Sequence, residues 1–169
     1  GWLTNDEAAA MARDLGVARV ATCERFLAQA KESPRGSAAA CEELLSARGV
    51  ELIALARGDR VSIGGATLEV ISPAPGADFA QDNDHSLVAR LTHPALTRTA
   101  AVLCGDVQDA AIGALREVAL SPLVMEAPHH GSARGVAIGW VREADPAVVL
   151  QSSGALRDGD PRWQSVRAS

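Results

Sequence analysis

Two apolar runs in the second half of the chain each end in a short polar motif that contains glycine, and these motifs constrain the fold most. The run Thr99–Leu103 leads into Gly105 and Asp106, and the run 123–125 leads into Pro-His-His-Gly-Ser (128–132). Such runs are typical of buried strands, and proteins present reactive side chains on the loops that follow strands. Carboxylates and neutral imidazoles bind zinc, manganese or iron. The pattern therefore predicts part of a metal site, carried by the ends of two strands.

Asp106 has two interpretations. Gly105 lets the backbone turn sharply after the strand, so the carboxylate of Asp106 can point back over the strand end, where its two oxygens can bridge two cations. The alternative is that Asp106 caps a helix predicted to begin near Gln108, a common use of aspartate.

His129 and His130 are neighbours, and neighbouring side chains on a strand point to opposite faces. We therefore expect one of them to be a metal ligand and the other to orient it or to shuttle a proton. Gly131 frees the turn that follows. The alternatives are a surface loop with incidental histidines, or a helix cap formed by Ser132.

The polar segment Gln-Asp-Asn-Asp-His-Ser (81–86) precedes another apolar run. Asn83 and Asp84 are expected to hydrogen-bond backbone groups across the mouth of the site, and His85 is a further candidate ligand. A solvated, turn-forming loop is the alternative, and it is the favoured one for His85. His93, which precedes a proline in a predicted turn, is expected to be structural or exposed.

Composition narrows the classes of function. The 169 residues are enough for one domain with a sizeable core. A net charge of −5 and an aromatic content of 3% argue against a broad nucleic-acid surface or a base-stacking platform. No run approaches the ~18 apolar residues of a membrane span. The three cysteines are widely spaced and form no Cys-x-x-Cys motif, so no disulfide framework is expected. Cys104 is expected to be a small, buried hydrophobic residue.

The positions of glycine and proline, which end helices and strands, and the periodicity of the apolar residues predict a mixed α/β (α+β) fold. A β-meander is followed by alternating strands and helices, which indicates sheets with helices packed outside. Residues 1–153 are expected to form the domain and residues 154–169 a loop-like tail. The predicted helices cover 6–15, 24–31, 37–48, 108–120 and 136–144, and the predicted strands cover 17–21, 50–55, 60–63, 66–71, 86–92, 98–103, 123–127 and 147–151.

An ordered set of motifs resembles one family. The set consists of Gly-Asp-Arg (58–60), Gly-Gly-Ala-Thr-Leu-Glu-Val (64–70), Asn-Asp-His-Ser-Leu-Val (83–88), Leu-Cys-Gly-Asp-Val (103–107) and Ala-Pro-His-His-Gly-Ser (127–132). It is similar to the C-terminal metallo-β-lactamase-like domain of the ComEC/Rec2 DNA-internalisation competence proteins, over about residues 17 to 153. The resemblance implies a four-layer αββα sandwich with a metal site at one edge of its sheets. It also implies a metal-dependent phosphodiesterase or nuclease that uses one or two zinc or manganese ions.

The resemblance assigns roles residue by residue. Asp106 matches the family's metal aspartate. His129, His130 and Ser132 match its Pro-His-His-Gly-Ser element, in which one of the two histidines is expected to bind the metal. The residues that match the family's Asn-Asp/Asn-x-Ser stretch are Asn83, Asp84 and Ser86. The implied partners are single-stranded or incoming DNA and a membrane channel domain of the same polypeptide. The implied location is a soluble domain of a bacterial inner-membrane protein, with no membrane span of its own in this chain.

The chain departs from the family pattern in two places. The principal metal motif of the fold, His-x-His-x-Asp-His, is not found, and no histidine precedes His85. A His-Pro of the relatives is here Asp160-Pro161. We therefore expect a fold that is incomplete at its N-terminus and a metal site that lacks most of its four ligands. By itself, the chain is expected to bind metal weakly or not at all and to hydrolyse little or nothing. The alternatives are a non-catalytic binding or scaffolding remnant, and another hydrolase of the superfamily that acts on a small ester.

Overall fold

The computed structural model describes residues 5–132, 134–153 and 160–163. The chain forms two compact units, Gly1–Leu55 and Ala56–Ser169. The helices and strands of the first unit are α1 (Asn5–Asp14), β1 (Arg19–Thr22), α2 (Glu24–Glu32), α3 (Ser37–Ser46) and β2 (Glu51–Ala54).

The first unit is built around a parallel strand pair. β1 and β2 run parallel, with Arg19 opposite Glu51. Parallel neighbours need a long crossover, which α2 and α3 supply. Leu45 and Val50 form a buried apolar cluster, and partly buried apolar side chains such as Val20 pack against them.

The second unit contains a six-stranded sheet in the order β3-β4-β5-β6-β7-β8. Strands β3 to β6 form an antiparallel meander, whereas β6, β7 and β8 are parallel because α4 and α6 connect them. The elements are β3 (Arg60–Ile63), β4 (Ala66–Ser72), β5 (Val88–Thr92), β6 (Thr99–Leu103), α4 (Asp109–Leu115), β7 (Pro122–Glu126), the single turn α5 (Pro128–Gly131), α6 (Gly135–Ala144) and β8 (Val148–Leu150), with 3₁₀ turns at Asp82–His85 and Pro161–Trp163.

Both faces of the parallel half of this sheet are apolar. On one face Val102 and Met125, which pair in register, are buried in a core that includes Ile112 of α4 and Trp140 of α6. The opposite face carries a cross-strand row of apolar residues, one from each strand in turn: Val61, Leu68, Leu91, Ala101, Val124 and Val148. Apolar residues on both faces are typical of parallel strands, and they explain the uninterrupted apolar runs of β6 and β7.

The predicted strands and longer helices are found in the predicted order within the described residues, whereas the short turns Asp82–His85 and Pro128–Gly131 were not predicted. Two further predictions are corrected. The helix predicted over 108–120 ends at Leu115, because Val118 and Leu120 leave the helical path and pack against the core. The predicted loop-like tail contains a 3₁₀ turn at Pro161–Trp163, where Trp163 is buried. Burial of the large indole fixes this part of the tail. The predicted domain boundary at residue 153 stays a prediction.

None of the helices described is long and apolar enough to cross a membrane.

Candidate functional site

The two polar motifs meet at the carboxyl edge of the parallel strands. Val102 of β6 is paired with Met125 of β7, so the two strands end side by side. The backbone N–H of His129 donates to the carbonyl oxygen of Gly105 at 2.9 Å, which joins the two turns directly. Because parallel strands place their carboxyl ends at one edge, residues far apart in sequence are brought together there.

The histidine turn has an unusual backbone. His129, His130 and Gly131 have φ angles of 48°, 55° and 74°. Residues other than glycine rarely adopt this left-handed region, and each does so at a cost of about 1–3 kcal/mol when the surrounding structure imposes it. A side chain at Gly131 would be strained by this φ, and its Cβ atom would lie 2.6 Å from the side chain of Gln151, which would have to move. The expectation that the two histidines alternate as on a strand is wrong, because their backbone is not extended.

His130 contacts the aspartate. Its Nε2 atom lies 3.2 Å from Oδ1 of Asp106, and the side chains of His130 and Asp106 are 35% and 16% exposed. On the other side of the ring, Nδ1 lies 3.0 Å from the carbonyl oxygen of Ser152. A carbonyl oxygen only accepts, so Nδ1 carries the hydrogen that is donated to it. The imidazole is thus oriented with Nε2 toward Asp106.

This arrangement fits one edge of a metal site. With Nδ1 protonated, Nε2 of a neutral imidazole has a lone pair that faces another acceptor, so a proton or a cation must lie between the two atoms. Metal–ligand bonds of about 2.0–2.2 Å at a tetrahedral angle place two ligand atoms roughly 3.3–3.6 Å apart, slightly more than the 3.2 Å between Nε2 of His130 and Oδ1 of Asp106. Within residues 5–132, 134–153 and 160–163, however, no group of three or more His, Cys, Asp or Glu side chains is placed to hold a metal ion.

The alternative role of Asp106 as a helix cap is wrong. The residue that caps α4 is Asp84, whose Oδ1 accepts from the backbone N–H groups of Gln108 and Ala111 at 2.9 and 3.2 Å. Asp84 is 2% exposed and lies 24 residues before Gln108. The predicted hydrogen bonding of Asp84 to backbone groups is observed, and it leaves the carboxylate of Asp106 facing His130.

The other residues of the segment 81–86 lie around this cap. Ser86 lies beside the aspartate turn, since a Cβ atom on Gly105 would be 3.3 Å from its Cβ. Asn83 is half-buried, and its carbonyl oxygen accepts from the N–H of Ser86 at 3.0 Å. His85 is 3% exposed, with Nε2 within 3.1 Å of the backbone nitrogen of Phe79. The favoured solvated interpretation of His85 is therefore wrong.

Two other residues behave more simply. The backbone N–H of Ser132 donates to the carbonyl oxygen of His129 at 2.9 Å and closes the histidine turn. His93 is exposed and accepts from the N–H of Ala95 at 3.1 Å, as expected for a structural turn residue.

Sequence reasoning missed three residues that hold the site. Ser152 orients His130, and the indole N–H of Trp163 donates to the carbonyl oxygen of Gly131 at 2.9 Å. Glu126 accepts from the backbone N–H groups of Cys104 and Gly105 at 2.8 and 3.0 Å. A carboxylate at the end of an apolar strand was a usable signal for Glu126, whereas nothing local predicts the contacts of Ser152 or Trp163.

Comparison with known proteins shows a similarity in structure but none in sequence. No protein-family model matches the chain, and no curated protein matches it. Among solved structures the fold is similar to that of Igni18, described as a novel metallo hydrolase from the hyperthermophilic archaeon Ignicoccus hospitalis KIN4/I, with a TM-score of 0.56 and 15% sequence identity.

The chain has a mixed α+β fold of sheets and helices that is similar to the fold of this metallo hydrolase. The similarity covers 95% of this chain and 65% of Igni18, so the chain spans slightly less than two thirds of that protein. The predicted fold class is confirmed. At this level of identity the likeness shows the fold and carries no substrate with it.

Proposed function

We propose that this chain contributes Asp106 and His130 as ligands to the metal site of a phosphodiesterase that acts on DNA. The observation that carries the proposal is the 3.2 Å approach of His130 Nε2 to Asp106 Oδ1 at the edge of a metallo-hydrolase fold. The contact from His130 Nδ1 to the Ser152 carbonyl supports it, because ligand histidines in proteins generally donate their other ring N–H to such a partner.

The chemistry that zinc or manganese supplies when bound in such a site is a water of lowered pKa and neutralised phosphoryl oxygens. The remaining ligands would come from outside the described residues. Asp106 would hold a second ion, if one is bound, through its other carboxylate oxygen. His129, whose ring centroid lies 6.3 Å from that of His130, is the proposed proton donor to the leaving alkoxide.

The sequence resemblance supports the choice of substrate and partners. We infer single-stranded or incoming DNA as the partner, and a membrane channel in the same polypeptide, in a bacterial inner-membrane protein of the ComEC/Rec2 kind. The net charge of −5 gives DNA no broad basic surface on this chain, so contacts to the strand would be local to the site.

A second candidate function is a non-catalytic binding or scaffolding module. It is favoured by one observation, that the described residues bring together a pair of ligands and not the three or more of a working site. A small-ester hydrolase of the same superfamily is a third candidate, in which Asp106 and His130 would likewise be metal ligands.

Residue-specific metal binding tests the proposal. Substoichiometric Mn²⁺ is added to ¹⁵N-labelled protein, because its paramagnetic broadening detects even weak sites. We expect broadening centred on residues 105–106 and 129–130, which is lost in Asp106→Asn and in His130→Asn. His93→Asn is the matched control, since His93 is an exposed histidine of the same unit, and it should leave the broadening unchanged. Broadening that is spread over surface carboxylates and survives Asp106→Asn would overturn the ligand assignment.

Activity separates the three functions. The protein is incubated with Mn²⁺ or Zn²⁺ and either a fluorescent single-stranded DNA oligonucleotide or nitrophenyl acetate. Metal-dependent DNA cleavage that is lost in Asp106→Asn supports the phosphodiesterase. Ester hydrolysis alone supports the small-ester enzyme, and site-specific metal binding without turnover of either substrate supports the non-catalytic module.

A further inference from the structure

Glu126 is a carboxylate in an apolar environment. It ends β7, whose other residues are Pro-Leu-Val-Met (122–125). On β8 its register partner is Leu150, and on β6 the corresponding position is Leu103, which follows the Val102–Met125 pair. Leu150 and Leu103 are 58% and 50% exposed, whereas Glu126 is partly buried. The cross-strand row that Glu126 shares with Leu103 and Leu150 is otherwise aliphatic. Partial burial of a carboxylate costs free energy unless its oxygens are hydrogen-bonded, so its contacts decide why it is there.

The contacts of Glu126 supply that explanation. One oxygen, Oε2, accepts from the N–H groups of Cys104 and Gly105 at 2.8 and 3.0 Å. These two N–H groups follow the last residue of β6, where the strand turns toward Asp106. Hydrogen bonds to an ionised acceptor are roughly twice as strong as neutral ones, so this oxygen holds the turn firmly.

Gly105 is fixed on both sides. Its N–H is held by Glu126, and its carbonyl oxygen accepts from the N–H of His129 at 2.9 Å. Its φ of 54° is left-handed, which glycine tolerates best. Asp106 follows Gly105 in the chain and His130 follows His129, so one glycine residue connects the backbones that carry both proposed ligands.

We propose that Glu126 is a positioning residue that sets the separation of Asp106 and His130 by holding Gly105. Its effect on the two turns does not depend on any metal. Its consequence for metal binding rests on the proposed function.

The test compares Glu126→Leu with Glu126→Gln. Leucine matches the neighbouring aliphatic residues and removes the acceptor, whereas glutamine keeps one acceptor oxygen without the charge. Glu51→Leu is the matched control, because Glu51 is an exposed strand glutamate of the first unit. Two quantities are measured by NMR at one pH without metal: amide hydrogen exchange and the ring ¹⁵N shifts of His130. The thermal midpoint is measured in parallel by circular dichroism.

In Glu126→Leu we expect exchange of the Cys104, Gly105 and His129 amides to accelerate at least tenfold, while the amides of α6 and β4 keep their rates. The ¹⁵N shifts of His130 should move, because its contact to Asp106 loosens. Glu126→Gln should restore most of the exchange protection, and Glu51→Leu should change none of these values at the site.

Two results would overturn the proposal. Unchanged exchange at Gly105 and His129 in Glu126→Leu would show that other contacts hold the turns. Uniform acceleration of all amides with a lower thermal midpoint would assign Glu126 to general stability. After these measurements, Mn²⁺ is added to a sample of the unmodified protein and its broadening is recorded. If it is missing at 105–106 and 129–130, the proposed function fails while the exchange data still decide the role of Glu126.

Discussion

The indole N–H of Trp163 donates to the carbonyl oxygen of Gly131 across 32 residues of sequence, at 2.9 Å and within the core. Gly131 is the last residue of the left-handed turn that presents His130. A segment near the C-terminal end of the chain therefore helps to hold a strained turn at the candidate site.

We expect Trp163→Phe to lower the free energy of unfolding by about 1–3 kcal/mol, because it leaves the buried carbonyl of Gly131 without this donor. Urea denaturation measures the loss. Trp140→Phe removes the same ring volume from the same core and is the control. The amide of Ser132, which closes the turn, should exchange faster only in Trp163→Phe; equal effects in both variants would mean that ring volume alone matters.

Replacing Asp84 should destabilise the second unit. Asp84→Ala removes the acceptor for the N–H groups of Gln108 and Ala111 at the start of α4, and we expect a loss of about 2 kcal/mol by urea denaturation. Asp82→Ala, at an exposed position of the same 3₁₀ turn, should change stability by less than about 0.5 kcal/mol. Similar losses for the two variants would contradict the capping role.

The stability of the sheet should fall in acid through Glu69. Burial raises the pKa of Glu69, but the hydrogen bond and charge of Arg90, followed by those of Arg60, outweigh it and bring the pKa below the ordinary value of 4.5. A carboxyl whose pKa is lower in the folded state stabilises the fold above the unfolded pKa, and the contribution disappears as pH falls through the folded value.

A double-mutant cycle of Glu69→Gln and Arg90→Met measures this contribution. We expect a coupling of about 0.5–1 kcal/mol at pH 7, in keeping with a partly exposed pair, that declines below about pH 4.5. A coupling that is equal at pH 7 and pH 3 would be inconsistent with the ionised pair.

Cys104 should be chemically inert in the folded protein. Burial raises the pKa of its thiol well above the ordinary value, and the charge of Glu126 raises it further. The thiolate is the reactive form, so a Cys23→Ser, Cys41→Ser variant, which retains Cys104, should react with an aromatic disulfide reagent only as fast as the protein unfolds. Rapid reaction that is insensitive to denaturant would place Cys104 at the surface.

The sequence by itself determined the order of strands and helices. Glycine and proline mark the ends of elements locally, and the change from helical to strand periodicity near Val50 depends only on nearby residues. The candidates Asp106 and His130 were identified for the same reason, because each follows an apolar strand. Glu126 could also have been singled out as a charge at the end of an apolar strand.

Tertiary structure alone decided how these residues meet. The parallel pairing of β6 and β7 brings Asp106 to His130, and strand pairing depends on the whole sheet. The left-handed backbone of His129 and His130 opposes their intrinsic preference, so only surrounding contacts such as that of Trp163 can impose it. Asp84 took the capping role that local spacing had offered to Asp106, because a buried carboxylate 24 residues away reaches the helix start. Contacts between distant residues set the geometry of the site, and such contacts leave no local pattern in the sequence.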